Sequence, residues 1–310
     1  MAKKKNSLLP VILFVIVFGA LLITATFTDL NVSKILTNGV LPAGQYYAND
    51  FYGVMMECVG SSPVYLLAAF IFQIWFWYIK RFNTKHPLAE ILCSLFAILS
   101  VVADYICVND TVGYVFEHYG VEKDGFLTGI SVFYAVIITV ASLFAVRNFS
   151  DESLKKLNRF AFAALGMIVL GNAFVNLVKI PMGRMRFRAM NTIGDYSGFT
   201  KWFVPNGQPD KAEMIALYGT ADAFKSFPSG HTCAAGMCYS LIMLIDVFNI
   251  KSKGKKAAIW LGTIGFTGMV AVSRIMVGAH FFSDVLMGGT IAFLCMVLFR
   301  ELIVRKGSKE

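Results

Sequence analysis

Long hydrophobic runs with few charged residues alternate with short polar segments along the whole chain. The first run, residues 8–27, has twenty residues. A helix that rises about 1.5 Å per residue can cross a bilayer core about 30 Å thick with that length. Seven further runs occupy residues 63–79, 88–108, 127–146, 160–178, 229–250, 257–277 and 281–299. The pattern predicts an all-α fold, a polytopic membrane bundle of about eight transmembrane helices.

The overall composition agrees with this pattern. Of the 310 residues, 57% are hydrophobic and 15% are charged, which is far more apolar than an average soluble protein. The net charge of +9 does not indicate nucleic-acid binding, because the basic residues do not interleave with aromatic residues on a polar surface. The six cysteines show no CxxC spacing and most lie inside hydrophobic runs. We therefore expect no metal site, no disulfide framework, no cofactor and no nucleic-acid partner.

The distribution of Lys and Arg among the connecting segments predicts the orientation. One side receives at least three basic residues per segment, in Lys3, Lys4 and Lys5 and in segments 80–85, 147–159, 251–256 and 300–309. The first two segments on the other side carry one each, Lys34 and Lys123. Because cytoplasmic loops accumulate Lys and Arg, we expect both termini in the cytoplasm. The short basic ends and the lack of a retention signal favour a bacterial plasma membrane, with the first run as an anchor.

Two longer segments fall on the predicted external side. Residues 29–62 are polar and aromatic, and we expect an external loop there that can hold an interfacial helix. Residues 180–226 are rich in Gly, Asp, Asn and aromatic residues. Their sequence does not decide between a lid and a selectivity element.

Polar residues gather at four helix ends that this topology places on the external side. They are Lys179 at the end of the fifth run, Ser229, Gly230 and His231 at the start of the sixth, Ser273 and Arg274 at the end of the seventh, and His280 and Asp284 at the start of the eighth. Arg184, Arg186 and Arg188 follow Lys179 on a side where the positive-inside bias disfavours them. Two imidazoles, several cations, a serine and a carboxylate are the groups that handle a phosphate.

The spacing of these residues suggests a role for each. His280 and Asp284 are four residues apart, which places both on one helical face. The carboxylate can accept the proton of one ring nitrogen, so that the other nitrogen presents a lone pair able to attack phosphorus. Ser229 has the position of an N-cap, at a helix start that binds anions. His231 lies in the first turn, where it can protonate the departing oxygen.

The remaining charged residues are interpreted by position. Lys179, Arg186 and Arg274 are expected to bind the equatorial phosphate oxygens. For Arg184 and Arg188 we expect attraction of anionic lipid or substrate, outside catalysis. We interpret His118 as an amphipathic residue at the membrane interface and Asp104 as an interfacial residue.

The three polar clusters resemble the signature of the type 2 phosphatidic acid phosphatase family, which includes lipid phosphate phosphatases, bacterial acid phosphatases and vanadium haloperoxidases. Lys179 and Arg186 have the spacing of its first block, residues 227–231 (FPSGH) fit the second, and Ser273, Arg274, His280 and Asp284 fit the third. Phe187 stands where proline is usual, which puts only the backbone after Arg186 in question. The resemblance implies a six-helix core in residues 88–310 and two extra N-terminal spans with an external loop in residues 1–87. It also implies a phosphohistidine on His280, His231 as general acid, and no metal.

These observations predict a metal-independent membrane phosphatase that acts on a lipid phosphate or diphosphate in the external leaflet. Phosphatidic acid, lysophosphatidic acid, phosphatidylglycerol phosphate and polyprenyl diphosphates such as undecaprenyl diphosphate are all candidate substrates, since the motif binds phosphate and not the tail. A phosphatase or phosphotransferase for a soluble phosphate ester is the alternative among enzymes. A catalytically silent lipid-binding relative is an alternative of another class. The sequence does not predict the oligomeric state.

Overall fold

The computed structural model describes residues 9–119 and 125–306, and its regular elements within these ranges are all helical. The α-helices are α1 (Leu9–Thr37), α2 (Phe51–Gly60), α3 (Ser62–Phe82), α4 (Ala89–Tyr119), α5 (Gly125–Arg147), α6 (Asp151–Met182), α7 (Phe187–Ile193), α8 (Lys211–Tyr218), α9 (Gly230–Ala235), α10 (Ser240–Val247), α11 (Lys253–Met276) and α12 (Phe282–Phe299). A 3₁₀ turn (Gly236–Tyr239) joins α9 to α10, and a π-helical turn (Arg300–Arg305) follows α12.

The predicted helical membrane bundle is confirmed. Eight segments of the described chain are long and apolar enough to cross a membrane. The second consists of α2 with α3, and the sixth runs from α9 through the 3₁₀ turn to α10. Lys3, Lys4, Lys5, Lys123 and Lys309, which entered the prediction of orientation, lie outside the described residues.

The first helix is longer than the hydrophobic pattern predicts. It continues to Thr37, so the expectation of an external loop over residues 29–62 is wrong for its first part. The polar residues Asp29, Ser33 and Thr37 are spaced by four and are all buried. They therefore form a polar stripe that packs against the bundle. From the sequence alone, such polar residues are expected to be exposed. In the second part of the segment, Asp50 caps α2 by accepting a hydrogen bond from the Gly53 N–H at 2.8 Å.

The core lies between α3, α6 and the last helices of the chain. Fully buried Ile71, Met167, Ile242 and Met296 come from four different helices of this group. Gly236 allows the sixth span to approach α12, because a Cβ at this position would lie 2.5 Å from the Ala292 side chain. This close packing brings the start of α9 next to the start of α12.

The end of α6 sets the direction of the chain that follows Lys179. Gly183 has a φ of +46°, and a Cβ there would lie 1.5 Å from the carbonyl oxygen of Gly207. Only glycine fits this left-handed position against the returning backbone. The segment of residues 180–226 then forms α7 and α8, with its first turn directly over the starts of α9 and α12.

Candidate active site

Three separate segments of the chain are joined by backbone hydrogen bonds at one end of the bundle. They are residues 184–188 after α6, residues 223–229 before α9, and residues 278–284 before and within α12. The bonds run from Arg186 N to Ala223 O (2.8 Å), Ser226 N to Arg184 O (3.0 Å), Arg188 N to Gly278 O (2.8 Å) and Ser229 N to Asp284 O (3.0 Å). The structure thus brings all three predicted polar clusters together.

His280 lies in the loop before α12, with only 1% of its surface exposed. Its Nδ1 is 2.6 Å from the carbonyl oxygen of Ser226. Since a carbonyl can only accept, Nδ1 carries the proton and Nε2 keeps a lone pair. Asp284 Oδ2 is 3.8 Å from Nδ1, so the predicted direct hydrogen bond from the imidazole to the carboxylate is not formed.

Asp284 acts instead on the loop that holds His280. Its Oδ2 accepts hydrogen bonds from the Phe281 N–H at 2.7 Å and from the Ser226 hydroxyl at 2.5 Å. Because α12 begins at Phe282, His280 precedes the helix, and the prediction that His280 and Asp284 share a helical face is wrong. Asp284 fixes the position of Ser226, whose carbonyl in turn fixes the imidazole tautomer.

The surroundings of His280 favour its neutral form. Burial lowers the pKa of His280 to about 3, and the positive charges of Arg186 and Lys179 act in the same direction, against the opposing effect of Asp284. A neutral imidazole with Nδ1 protonated has a lone pair on Nε2 at neutral pH. This is the state that a nucleophilic nitrogen requires.

Ser229 is the N-cap of α9, as the sequence predicts. Its hydroxyl oxygen accepts from the Thr232 N–H at 3.3 Å and from the Thr232 hydroxyl at 3.0 Å. The Ser229 N–H is used by the Asp284 carbonyl, so only its own O–H and the amides that follow it can reach an anion. His231 lies in the first turn, and its buried Nε2 has no hydrogen-bond partner within residues 9–119 and 125–306. The Tyr114 ring contacts its imidazole edge to face, with centroids 5.2 Å apart.

The three cations assigned to phosphate differ in their surroundings. Lys179 extends over the start of α9, where its Nζ lies 3.4 Å from the position of a Cβ on Gly230. Within the described part of the chain, neither Lys179 nor Arg186 has a carboxylate within 4.0 Å. Arg274 is fully buried and its Nη1 lies 2.6 Å from Oε1 of Glu57. Lys179 and Arg186 therefore have no contacting acid, whereas Arg274 already has an acidic partner.

Arg184 has a different place from the one the sequence suggested. It is fully buried, and its Nη1 donates to Asp284 Oδ1 at 2.6 Å and to the Ser283 hydroxyl at 2.8 Å. Its Nη2 donates to Asp29 Oδ2 at 2.9 Å. The guanidinium carbon also lies 4.2 Å from the centre of the Phe281 ring. Arg184 thus fixes Asp284 through its Oδ1, while Oδ2 bonds to Phe281 and Ser226. The expectation that Arg184 attracts anionic lipid is wrong, because its side chain is buried.

Residues 160–308 match the family model of the PAP2 superfamily. Over this segment, slightly less than half of its length, the chain is similar to the PAP2 superfamily. The resemblance inferred from the three polar clusters is thereby confirmed. The chain is also similar to a lipid A 1-phosphatase of Rhizobium johnstonii, with 27% identity over 143 residues. The similarity covers 41% of this chain and 54% of that protein, so it spans about half the length of this curated relative. No solved structure matches the chain significantly.

Two carboxylates from outside the PAP2 segment reach the site. Asp29 on α1 binds Arg184, and its Oδ1 also accepts from the Ser283 N–H at 2.9 Å. Glu57 on α2 binds Arg274. Sequence reasoning assigned neither residue to the site. The available signal was weak, since each is an isolated acid beside a hydrophobic run on the side opposite most of the basic segments.

Three other interpretations from the sequence are corrected by burial. His118 is not an interfacial surface residue, because it is buried and its Nε2 lies 2.8 Å from Oε2 of Glu57. Arg188 is buried and lies over the Tyr46 ring at 4.4 Å, so it does not face lipid. Asp104 is buried inside the bundle with Thr139 as its partner at 2.5 Å.

The described residues contain no group of three or more His, Cys, Asp or Glu side chains with an arrangement that could hold a metal ion.

Proposed function

We propose that this protein is an integral membrane phosphatase that hydrolyses a lipid phosphate or diphosphate monoester through a phosphohistidine on His280. The observation that carries the proposal is the 2.6 Å contact between His280 Nδ1 and the Ser226 carbonyl, which leaves Nε2 as the reactive nitrogen. The charges of Lys179 and Arg186 lie close enough to interact with His280, and those of Arg274 and Arg186 interact with His231. The match of residues 160–308 to the PAP2 superfamily model supports the phosphatase assignment.

The proposed reaction has two steps. Nε2 of His280 attacks phosphorus and forms an N–P bond while the bond from phosphorus to the leaving oxygen breaks, and His231 gives that oxygen a proton. A water molecule then attacks the phosphohistidine, transfers a proton to His231, and releases inorganic phosphate as the N–P bond breaks. No metal takes part in this scheme.

The phosphate-binding residues serve the charge that develops in each step. Lys179, Arg186 and Arg274 offset the negative charge on the equatorial oxygens, where it resides in an in-line transfer. The Ser229 hydroxyl and the N–H of Gly230 complete the phosphate site at the start of α9. Asp284 keeps His280 in place through Ser226.

A lipid substrate is supported by the location of the site at the end of a bundle of apolar helices. The relative named lipid A 1-phosphatase supports the same substrate class. Phosphatidic acid, lysophosphatidic acid, phosphatidylglycerol phosphate, polyprenyl diphosphates and a phosphorylated glycolipid all carry the terminal phosphate that the site would bind. The choice among them depends on the part of the substrate beyond that phosphate.

The proposed orientation is a bacterial plasma membrane with cytoplasmic termini and an extracytoplasmic site. It is supported by basic residues at the helix ends opposite the site, among them Arg81, Arg147 and Arg300. Arg81 pairs with Asp151 at 2.9 Å and Arg300 with Asp246 at 2.5 Å at those ends. We also propose the division into an N-terminal extension (residues 1–87) and a six-helix core (residues 88–310).

The function is tested with detergent-purified protein and a panel of phospholipid, isoprenoid and glycolipid phosphates beside soluble phosphate esters. Phosphate release should occur with lipids, persist in excess EDTA and be inhibited by vanadate. His280→Ala should reduce it by at least about a thousandfold. His86→Ala is the matched control, because His86 is exposed in the short segment between α3 and α4.

Trapping labelled phosphate on the protein separates the alternatives. Wild type should carry an acid-labile label that His280→Ala lacks. Full activity of His280→Ala would reject the nucleophile, and equal turnover of soluble esters would reject lipid specificity. Neither label nor turnover with any substrate would identify a catalytically silent relative.

A further inference from the structure

One face of α2 lies against the proposed active site. Gly53, Glu57 and Gly60 occupy positions i, i+4 and i+7, which line up on a single helical stripe. The Gly53 carbonyl accepts from Arg274 Nη2 at 2.8 Å, and Glu57 Oε1 lies 2.6 Å from Arg274 Nη1. A Cβ on Gly60 would be 3.7 Å from Cδ2 of His231. This stripe therefore contacts two residues of the site, although α2 lies outside the PAP2 segment.

The glycines allow α2 to come this close. A Cβ at Gly53 would lie 2.3 Å from the Val277 side chain, and one at Gly60 would lie 3.0 Å from the Val270 side chain. Real Cβ atoms do not tolerate the first distance, so a larger residue at Gly53 would push α2 away from α11. Glu57 is thus brought to Arg274 by close helix packing on both sides of it.

Glu57 is an acid buried among basic groups. It is 3% exposed, and besides Arg274 it has Arg188 Nη1 at 4.0 Å and His118 Nε2 at 2.8 Å. Nδ1 of His118 is buried without a partner in the described part of the chain. His118 donates from Nε2, because the carboxylate of Glu57 accepts the hydrogen bond. Glu57 therefore compensates guanidinium charge, and His118 holds its second oxygen.

We propose that Glu57 is a positioning residue, which together with Gly53 orients the guanidinium of Arg274 towards the bound phosphate. A guanidinium has five N–H groups in a rigid plane. One N–H of Nη2 is donated to Gly53, and the Nε–H points to the Ser273 hydroxyl at 3.4 Å. Nη1 is held at 2.6 Å by the charge of Glu57, and in the described part of the chain it makes no hydrogen bond. Nη1 and the second N–H of Nη2 therefore remain to bind two oxygens of a phosphate. This role rests on the proposed function, in which Arg274 binds that phosphate.

The N-terminal extension thereby supplies part of the active site. Without Glu57, the guanidinium of Arg274 would be a buried charge held only by a backbone carbonyl and a distant hydroxyl. It would then be free to turn within its plane or towards another acceptor, and its two phosphate-binding N–H groups would lose their direction. A loss of alignment weakens substrate and vanadate binding together, because both present the same tetrahedral or trigonal oxygens.

The test compares Glu57→Gln with wild type in the full-length protein, by kcat, KM, the vanadate inhibition constant and the thermal midpoint. Loss of a charge-assisted contact should lower kcat/KM and raise the vanadate constant by about tenfold to a hundredfold. In an Arg274→Ala background, Glu57→Gln should add less than about threefold, since the two residues act as one unit. Asp104→Asn is the control for changing a buried acid to its amide. Asp104 lies ten residues before Tyr114 on α4, a separation of about 15 Å along the helix.

Glu57→Asp serves where Glu57→Gln does not fold, because it keeps the charge but shortens the reach to Arg274. It should also raise the vanadate constant. Wild-type values of kcat/KM and of the vanadate constant in either variant would overturn the positioning role, even with a lower thermal midpoint. Tighter vanadate binding would overturn it too, since Glu57 would then compete with phosphate for Arg274.

If wild type neither releases phosphate nor binds vanadate, the proposed function fails and this role fails with it. An active wild type with equally active variants rejects the positioning role alone.

Discussion

The buried guanidinium of Arg184 is shared by two carboxylates, and its removal should be among the most damaging changes in the chain. Arg184→Met keeps an unbranched apolar stem but leaves Asp29 and Asp284 buried without their cation. Breaking a buried ion pair by removing one partner costs about 3–5 kcal/mol. At roughly 2–4 °C per kcal/mol, as in domains of about 150–250 residues, the thermal midpoint should fall by about 6–20 °C. Arg184→Lys should have a thermal midpoint between those of Arg184→Met and wild type. It keeps the positive charge, but an ammonium cannot bridge both acids as the planar guanidinium does.

The assay is thermal unfolding of detergent-purified protein, followed by tryptophan fluorescence. Trp202 is a suitable reporter, since its ring lies 5.9 Å from that of Phe227 beside the site. Lys156→Met is the matched control, because Lys156 forms an exposed pair with Glu152 at 2.6 Å. Such an exposed pair contributes little to stability, so this midpoint should stay close to wild type.

A second variant isolates the charge from the lost packing. Asp29→Asn in the Arg184→Met background removes one of the two unpaired acids, so it should restore part of the lost stability. A midpoint of Arg184→Met within about 2 °C of wild type, or no recovery in the double variant, would refute the reasoning. Either result would mean that the two acids are protonated or solvated in the folded protein.

Two further predictions concern pH and packing at the same site. The pKa of His280 is lowered from 6.5 to about 3, so between these values the unfolded chain binds a proton that the folded protein does not. Stability should therefore fall as pH decreases through this window, and the fall in thermal midpoint from pH 7 to pH 4 should be smaller in His280→Asn; equal slopes would contradict it. Gly288→Ala should reduce both stability and phosphate release, because its Cβ would lie 2.3 Å from the Ser229 carbonyl oxygen. Gly289→Ala, with its nearest neighbour at 3.6 Å, should match wild type in both measurements.

The sequence predicts the membrane spans well because their signal is local. A run of apolar residues long enough for a bilayer needs no knowledge of its neighbours. The same holds for the N-cap at Ser229, where one polar residue before an apolar run marks the helix start. The end of α1 was missed because its last turns bury a polar stripe, and burial depends on helices that follow much later in the chain.

The partners of the buried charges could not be predicted in this way. Arg184 and Asp284 are 100 positions apart, and Arg274 and Gly53 are 221 apart. The spacing suggests a hydrogen bond between His280 and Asp284. In the structure, His280 instead donates to the Ser226 carbonyl, and Asp284 accepts from the Ser226 hydroxyl. One possible acceptor, Asp284, is close to His280 in sequence, and the other, Ser226, is 54 positions away. Only the tertiary fold decides which of the two accepts the hydrogen bond.

The arrangement of charges divides the basic residues of the site into two groups. Arg184 and Arg274 each hold a buried carboxylate, and moving them would leave that acid uncompensated, so they form a fixed frame. Lys179 and Arg186 have no such partner within 4.0 Å in the described chain, and their two positive charges repel each other. A phosphate group would relieve that repulsion without breaking any ion pair of the frame. The acids of α1 and α2 therefore do more than balance charge, because they fix Arg184 and Arg274 in position while Lys179 and Arg186 keep no contacting acid.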